Sequence, residues 1–205
     1  EEQVSVPKSL TLLGESGAAF TFIKAPPTIP VACDPNSTIV KIAGTGVSVD
    51  ISGFTVTGPG PGGCGTINFG IFVRDDAYAN IHDNRILDIR DNPFSGCQNG
   101  VGIQVGRASL SASGTADIKD NEISGYQKNG ITISNIGSSA TVTNNTITGA
   151  GPTTIIAQNG VQVSGGATAD INGNTISDHS YSPGSYTSTG VLIFSSDADT
   201  FGNTL

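Results

Sequence analysis

Apolar and polar positions along this chain fall into short runs of period two, and the runs recur. Gly70-Ile71-Phe72-Val73, Gly100-Val101-Gly102-Ile103, Gly130-Ile131-Thr132-Ile133, Gly160-Val161-Gln162-Val163 and Gly190-Val191-Leu192-Ile193 follow one another at intervals of 30 residues. The first and third residues after each glycine are Ile or Val, and the second varies. Such alternation gives a β-strand with two inward positions and one outward position. A second run follows in each repeat: Ile81-His82-Asp83-Asn84-Arg85-Ile86, Ile118-Lys119-Asp120-Asn121-Glu122-Ile123, Val142-Thr143-Asn144-Asn145-Thr146-Ile147 and Ile171-Asn172-Gly173-Asn174-Thr175-Ile176. A shortened copy closes the chain at Phe201–Leu205, and an earlier copy at Ile51–Val56 carries Phe54 where the others carry Asn.

A repeat of this length cannot bury its apolar face alone, whereas stacked repeats bury one continuous core. The pattern therefore predicts one all-β domain over 1–205, a right-handed parallel β-helix of about seven coils. Asn84, Asn121, Asn145, Asn174 and Asn203 share one column. Asn tolerates tight-turn backbone angles, and stacked amides can bond to one another, so the column predicts an internal ladder. Inserts at Thr57–Phe69, Leu87–Asn99, Thr148–Asn159 and Ser177–Thr189 occupy the same stage of four coils and should line one side of the rod. Gly106–Ala116 is a separate excursion at another corner.

Composition narrows the partners. The net charge is −8 and only nine Lys and Arg are present, scattered along the chain, which argues against a nucleic-acid partner. No run approaches the roughly 18 apolar residues of a membrane span, so a soluble chain is expected, a mature part or segment of a longer protein. Cys33, Cys64 and Cys97 are spaced by about one coil. Equivalent positions in adjacent coils lie ~4.8 Å apart, within disulfide reach. Cys64–Cys97 is the favoured pair and Cys33–Cys64 the second, with three buried thiols as the alternative. A disulfide favours an extracellular or cell-surface setting.

The Asn-x-Ile and Gly-Val-x-Val motifs resemble the right-handed parallel β-helix repeat family of the pectin-lyase-like superfamily, over essentially the whole chain. The opening Val4–Glu15 looks like the second strand segment of such domains, with no capping helix or first strand before it, and the chain stops inside a repeat at Leu205. The uncapped ends suggest a segment of a longer protein or a subunit that stacks on copies of itself. The resemblance also implies polysaccharide as a ligand and invites a search for the family's enzymes. Asp75-Asp76 matches one polygalacturonase-like motif, but the Asn-Thr-Asp, Gly-His-Gly and Arg-Ile-Lys motifs are missing. Arg74, Arg85, Arg90 and Arg107 match the basic residue of pectate-lyase-like enzymes in type only.

Two surfaces carry candidate chemistry. His82, Asp83 and Arg85 should stack over Lys119, Asp120 and Glu122, placing Asp83 and Asp120 about 5 Å apart. That is the spacing of a retaining glycosidase pair, or of two carboxylates able to hold Ca²⁺. The plain alternative is a solvated face with Arg85 paired to Glu122. Loop aromatics Phe69, Phe94, Tyr126, Tyr181 and Tyr186 could stack on sugars, and Tyr181 and Tyr186 share the Pro-Gly insert Ser177–Thr189. Thr146, Thr175 and Thr204 form an outward column open to water or sugar. Asn36-Ser37-Thr38 and Asn144-Asn145-Thr146 match the glycosylation pattern. No metal-ligating His or Cys cluster, catalytic triad or phosphate loop is evident.

The sequence thus supports a non-catalytic extracellular structural solenoid that associates end to end into a filament or surface layer. The alternatives are a polysaccharide lyase or hydrolase working from Asp83, Asp120, His82 and Lys119, and a carbohydrate-binding or adhesive module working from Tyr181 and Tyr186.

Overall fold

A computed structural model describes residues 1–29, 37–60, 62–182, 184–201 and 203–204. The period-two runs become strands, three to a coil. The first coil holds β1 (Val4–Val6), β2 (Leu10–Leu13) and β3 (Phe22–Lys24); the second holds β4 (Thr38–Ala43), β5 (Ser48–Ser52) and β6 (Thr55–Thr57). The third has β7 (Phe69–Arg74), β8 (Ala77–His82) and β9 (Arg85–Leu87), and the fourth β10 (Val101–Val105), β11 (Gly114–Lys119) and β12 (Glu122–Ser124). The fifth has β13 (Asn129–Ser134), β14 (Ser139–Thr143) and β15 (Thr146–Thr153), the sixth β16 (Asn159–Ser164), β17 (Thr168–Asn172) and β18 (Thr175–Tyr181). A seventh contributes β19 (Thr189–Phe194) and β20 (Asp197–Phe201).

Every third strand pairs in parallel. Sheet A runs β1-β4-β7-β10-β13-β16-β19, sheet B runs β2-β5-β8-β11-β14-β17-β20, and sheet C runs β3 to β18 through β6, β9, β12 and β15. This is the seven-coil right-handed parallel β-helix that the repeat predicts. Its core is a set of apolar columns. Sheet A supplies Ile71/Ile103/Ile131/Val161 and Val73/Val105/Ile133/Val163, sheet B supplies Ile51/Ile81/Ile118/Val142/Ile171, and sheet C supplies Val56/Ile86/Ile123/Ile147/Ile176. All are buried. Each such side chain contributes roughly 1.5–3 kcal/mol by leaving water.

The glycine column differs from the sequence expectation at one place. Val101 pairs with Phe69 and with Asn129, so the residue over Gly70 and under Gly130 is Gly102, not Gly100. A Cβ on Gly70 would lie 2.6 Å from the Gly102 carbonyl oxygen, and one on Gly102 equally close to that of Gly130. Gly100 instead sits before the strand with φ +78°. The slip is two residues: Ile103 and Val105 point inward as period two requires, whereas Val101, expected to face inward, joins the outward column of Phe69 and Asn129.

The ladder forms as expected. Asn84, Asn121, Asn145 and Asn174 are 1–2 % exposed. Each bonds its neighbour: the Asn121 backbone N–H donates to Asn145 Oδ1 at 3.0 Å, and Asn145 N–H to Asn174 Oδ1 at 2.9 Å. Asn203 continues the column by accepting from Asn174 N–H at 3.1 Å. Phe54, which breaks the column, donates its N–H to Asn84 Oδ1 at 3.0 Å. The residue before each Asn turns the corner with positive φ: Asp83 (53°), Asp120 (56°), Asn144 (56°) and Gly173 (66°). Short polar side chains and Gly are the types that tolerate this region.

Candidate functional site

The charged surface takes up the predicted stacking. His82 pairs with Lys119, and Arg85 with Glu122, which brackets Asp83 over Asp120. Arg85 Nε donates to Glu122 Oε2 at 2.8 Å, the plain ion pair of a solvated face. His82 is gripped from both sides, Nδ1 to Asp83 Oδ2 at 2.7 Å and Nε2 to Asp50 Oδ1 at 3.3 Å. Asp50 also accepts from Asn80 Nδ2 at 2.6 Å. Asp120, Asn121, Glu122, Asn144 and Thr146 border a shallow depression beside this face. The positive φ of Asp83 and Asp120 supplies a structural reason for both carboxylates, as corner formers. Asp75 and Asp76 are likewise turn residues with positive φ, and Asp75 receives Arg74 Nε at 2.9 Å.

The loop side builds something more enclosed. Outward residues of sheet A stack as Phe69/Val101/Asn129/Asn159/Thr189 and Phe72/Gln104/Thr132/Gln162/Leu192. The inserts rise along one edge of this face, and the excursion after β10, with a single 3₁₀ turn at Ala108–Leu110, rises along the other. Between them lie two adjoining depressions, of about 300 and 610 Å³, that share Gln98, Lys128 and Gln162 along their common border. Together they form a groove running across several coils.

Its floor is a lattice of amides and hydroxyls. Asn129 Nδ2 donates to Thr132 Oγ1 at 2.9 Å and to Gln162 Oε1 at 3.1 Å. Asn159 Nδ2 donates to Asn129 Oδ1 at 3.0 Å, and Thr189 Oγ1 to Asn159 Oδ1 at 2.8 Å. Such bonds fix donors and acceptors before any ligand arrives. The walls bring two cations. Lys128 Nζ donates to the Ala157 carbonyl at 2.7 Å, and burial lowers its pKa from the ordinary lysine value. Arg107 sits with its guanidinium 5.1 Å from the Phe69 ring centre. Tyr181 and Tyr186 close the far end, ring centres 6.3 Å apart, with Tyr186 71 % exposed. Among the described residues lining the two depressions there is no Asp, Glu or His.

Behind the wall, buried polar groups hold the inserts in place. Cys64 and Cys97 are joined in a disulfide, the pairing favoured from spacing; Cys33 lies outside the described residues, as does Asn36. Asp91, fully buried, accepts from Ser95 Oγ at 2.7 Å and Gln127 Nε2 at 3.0 Å. Gln158 Nε2 donates to the Tyr126 carbonyl at 2.6 Å. Tyr126 is therefore not a sugar-facing aromatic: it is 1 % exposed and its hydroxyl bonds His179 Nε2 inside the core. Burial lowers His179 to about 4 against a weaker upward pull from Asp178. Phe69 is also buried, packed on Phe72 at 4.7 Å beneath Arg107, and Phe94 lies under Arg90.

Of the sequence candidates, the structure thus brings Tyr181 and Tyr186 to the groove and gathers His82, Asp83, Lys119 and Asp120 on a separate face. Lys128, Asn129, Asn159, Gln104 and Gln162 were not flagged from sequence; the only signal was that the Asn-Gly pairs at 129–130 and 159–160 recur one coil apart. No helix is long and apolar enough to cross a membrane among the described residues.

Comparison with curated proteins and with solved structures finds no match. A profile described as a right handed beta helix region matches residues 32–176, most of the chain, and this agrees with the three parallel sheets. The chain belongs to the right-handed β-helix family.

Proposed function

We propose that this protein is a non-catalytic, polysaccharide-binding β-solenoid that holds a glycan strand in the groove over sheet A. The observation that carries this reading is the lining itself: a preorganised floor of Asn, Gln and Thr, two tyrosines at one end and two cations on the walls. Amides and hydroxyls match the donor and acceptor rows of a sugar, and aromatic faces pack on its apolar side. Lys128 and Arg107 would favour carboxylated or sulfated sugars in a chain whose net charge is otherwise −8. The described lining offers no carboxylate pair of the kind glycoside hydrolysis uses, which supports holding over cutting. The Cys64–Cys97 disulfide supports a place outside the reducing cytosol, secreted or at the cell surface.

Calorimetric titration with soluble neutral and acidic polysaccharides tests the proposal. Binding is expected, weakened by Gln162→Ala and by Tyr186→Ala and untouched by Asp83→Asn with Asp120→Asn. Failure to bind across a broad glycan panel, or indifference to both groove substitutions, overturns it. Following the same mixtures for new reducing or unsaturated ends separates binding from cleavage.

A further inference from the structure

The corner behind the groove wall holds a chemistry that polysaccharide binding does not use. Cys64 Sγ, Cys97 Sγ and a carboxylate oxygen of Asp91 all lie within 4.8 Å of one another. Cys64 is exposed and Cys97 half-buried, so the pair is open to solvent-borne thiols, while Asp91 is fully buried. A buried carboxylate costs free energy unless its charge is met. The hydrogen-bond partners of Asp91 are the neutral groups of Ser95, Gln127, Asn99 and Thr66. They orient the carboxylate, and none of these four partners is a cation.

We propose that, once the disulfide is reduced, Cys64, Cys97 and Asp91 form a binding site for one thiophilic divalent cation of the Zn²⁺ class. The step balances as follows: a dithiol reductant gives two electrons and two protons to the Cys64–Cys97 bond, leaving two thiols and the oxidised reductant. The cation then displaces the two thiol protons, and the two thiolates with the Asp91 carboxylate become its ligands, with water in the fourth position. Tetrahedral Zn²⁺ holds thiolates at about 2.3 Å, which places two sulfurs about 3.8 Å apart. The backbone holds the two Cα atoms 5.7 Å apart, close enough for both side chains to reach one ion.

The scaffold for the site does not depend on the disulfide alone. The Cys64 loop is tied to the next coil by Gly58 N–H to the Leu87 carbonyl at 3.0 Å and Gly60 N–H to the Arg90 carbonyl at 2.8 Å. Asp91 N–H donates to Gln127 Oε1 at 3.0 Å, and Cys97 N–H to Ser95 Oγ at 3.2 Å. Gln127 and Asn99 then serve as the outer partners that fix a metal-ligating carboxylate. The cation supplies a positive charge that none of these described partners of Asp91 carries, and the corner stays fastened in either redox state, by a covalent bond or by a metal.

The test uses the whole chain, reduced with a dithiol and then freed of it, titrated with Co²⁺ and with Zn²⁺. Expected are one cation per chain, a thiolate-to-cobalt charge-transfer band, and displacement of Co²⁺ by Zn²⁺. The oxidised chain should show none of these. Asp91→Asn, which keeps the shape but replaces one of the two accepting oxygens with an amide N–H₂ group, should weaken binding by about 100-fold or more. Because Asp91 sits in a buried network, Cys64→Ala is the second variant; its exposed side chain leaves that network intact, and the band should disappear. Equal binding by the oxidised chain, or by reduced Cys64→Ala, overturns the proposal. So does a reduced chain that gives no cobalt band while its circular dichroism shows the fold retained.

Discussion

Replacing Asn145 by Ala removes the centre of the ladder, and the cost follows from its bonds. Asn145 Nδ2 donates to the Ile118 carbonyl at 2.9 Å, the Thr143 carbonyl at 3.1 Å and Asn174 Oδ1 at 3.0 Å. Its Oδ1 accepts from Asn121 N–H and from Asn121 Nδ2, both at 3.0 Å. Most partners keep another bond. Asn121 Nδ2 retains the Ile81 and Lys119 carbonyls, and Asn174 Oδ1 retains the Asn145 backbone N–H. The Asn121 backbone N–H loses its side-chain acceptor in a buried setting, at about 1–3 kcal/mol. The remaining losses add about 1 kcal/mol for each bond not replaced, so Asn145→Ala should cost about 3–5 kcal/mol. Asn203→Ala, at the half-buried end of the column, should cost about 1 kcal/mol. Urea unfolding followed by circular dichroism gives both values, provided the slope is unchanged. A loss below about 1 kcal/mol for Asn145→Ala, or equal losses at the two positions, would refute the idea that ladder amides satisfy the turn backbone.

Other predictions concern the core and the loop corner. His179 is held at about 4, below its ordinary value, so the unfolded chain binds more protons between that value and about 6.5. Stability should therefore fall as pH drops through this window, by up to roughly 2 kcal/mol after allowing for the partly exposed ring, and level off below it. His179→Gln should flatten that dependence in pH-stepped urea melts. Gly130→Ala would put a Cβ 2.6 Å from Ile147 Cγ2 and 2.7 Å from the Gly160 carbonyl oxygen, so several kcal/mol of destabilisation is expected. Gly46→Ala, with φ +76° and open space around it, should cost only about 1 kcal/mol, and thermal melts of the two variants make the comparison. Removing the disulfide by Cys64→Ala with Cys97→Ala opens a 33-residue separation and should lower stability by about 3–4 kcal/mol in metal-free buffer.

The ladder and the core columns were legible because each is one residue type at a fixed offset from an inward Ile or Val. The glycine column was legible except at coil four. There the true intervals are 32 and then 28 residues, since Gly102 lies between Gly70 and Gly130, and Gly100 happened to fall at the average. A slip of two leaves Ile103 and Val105 on the inner face and moves only Val101 to the outer one, so hydrophobicity carries little trace of it. The Tyr126–His179 bond was illegible for a different reason. Its members are 53 residues and two coils apart, and nothing local marks either ring as inward. The groove floor was hidden because outward positions vary freely in type, and only the loops' place beside sheet A turns Gln162 and Asn159 into a shared surface. Tyr181 and Tyr186 could be picked out early because a Pro-Gly insert rich in tyrosine has no structural need of them.

Coils five and six match residue for residue on all three sheets at the start of each strand, Asn129 over Asn159, Ser139 over Thr168 and Thr146 over Thr175. The groove bonds from Asn129 to Asn159 to Thr189 run along that same direction. A duplicated coil spliced at this seam would carry its own share of core, ladder and floor, so the rod can lengthen without redesign. Each added coil would advance the floor by about 4.8 Å. On the proposed reading, affinity for a long glycan would become a matter of counting coils, and duplication of a coil would act as a ruler that changes reach while leaving the chemistry alone.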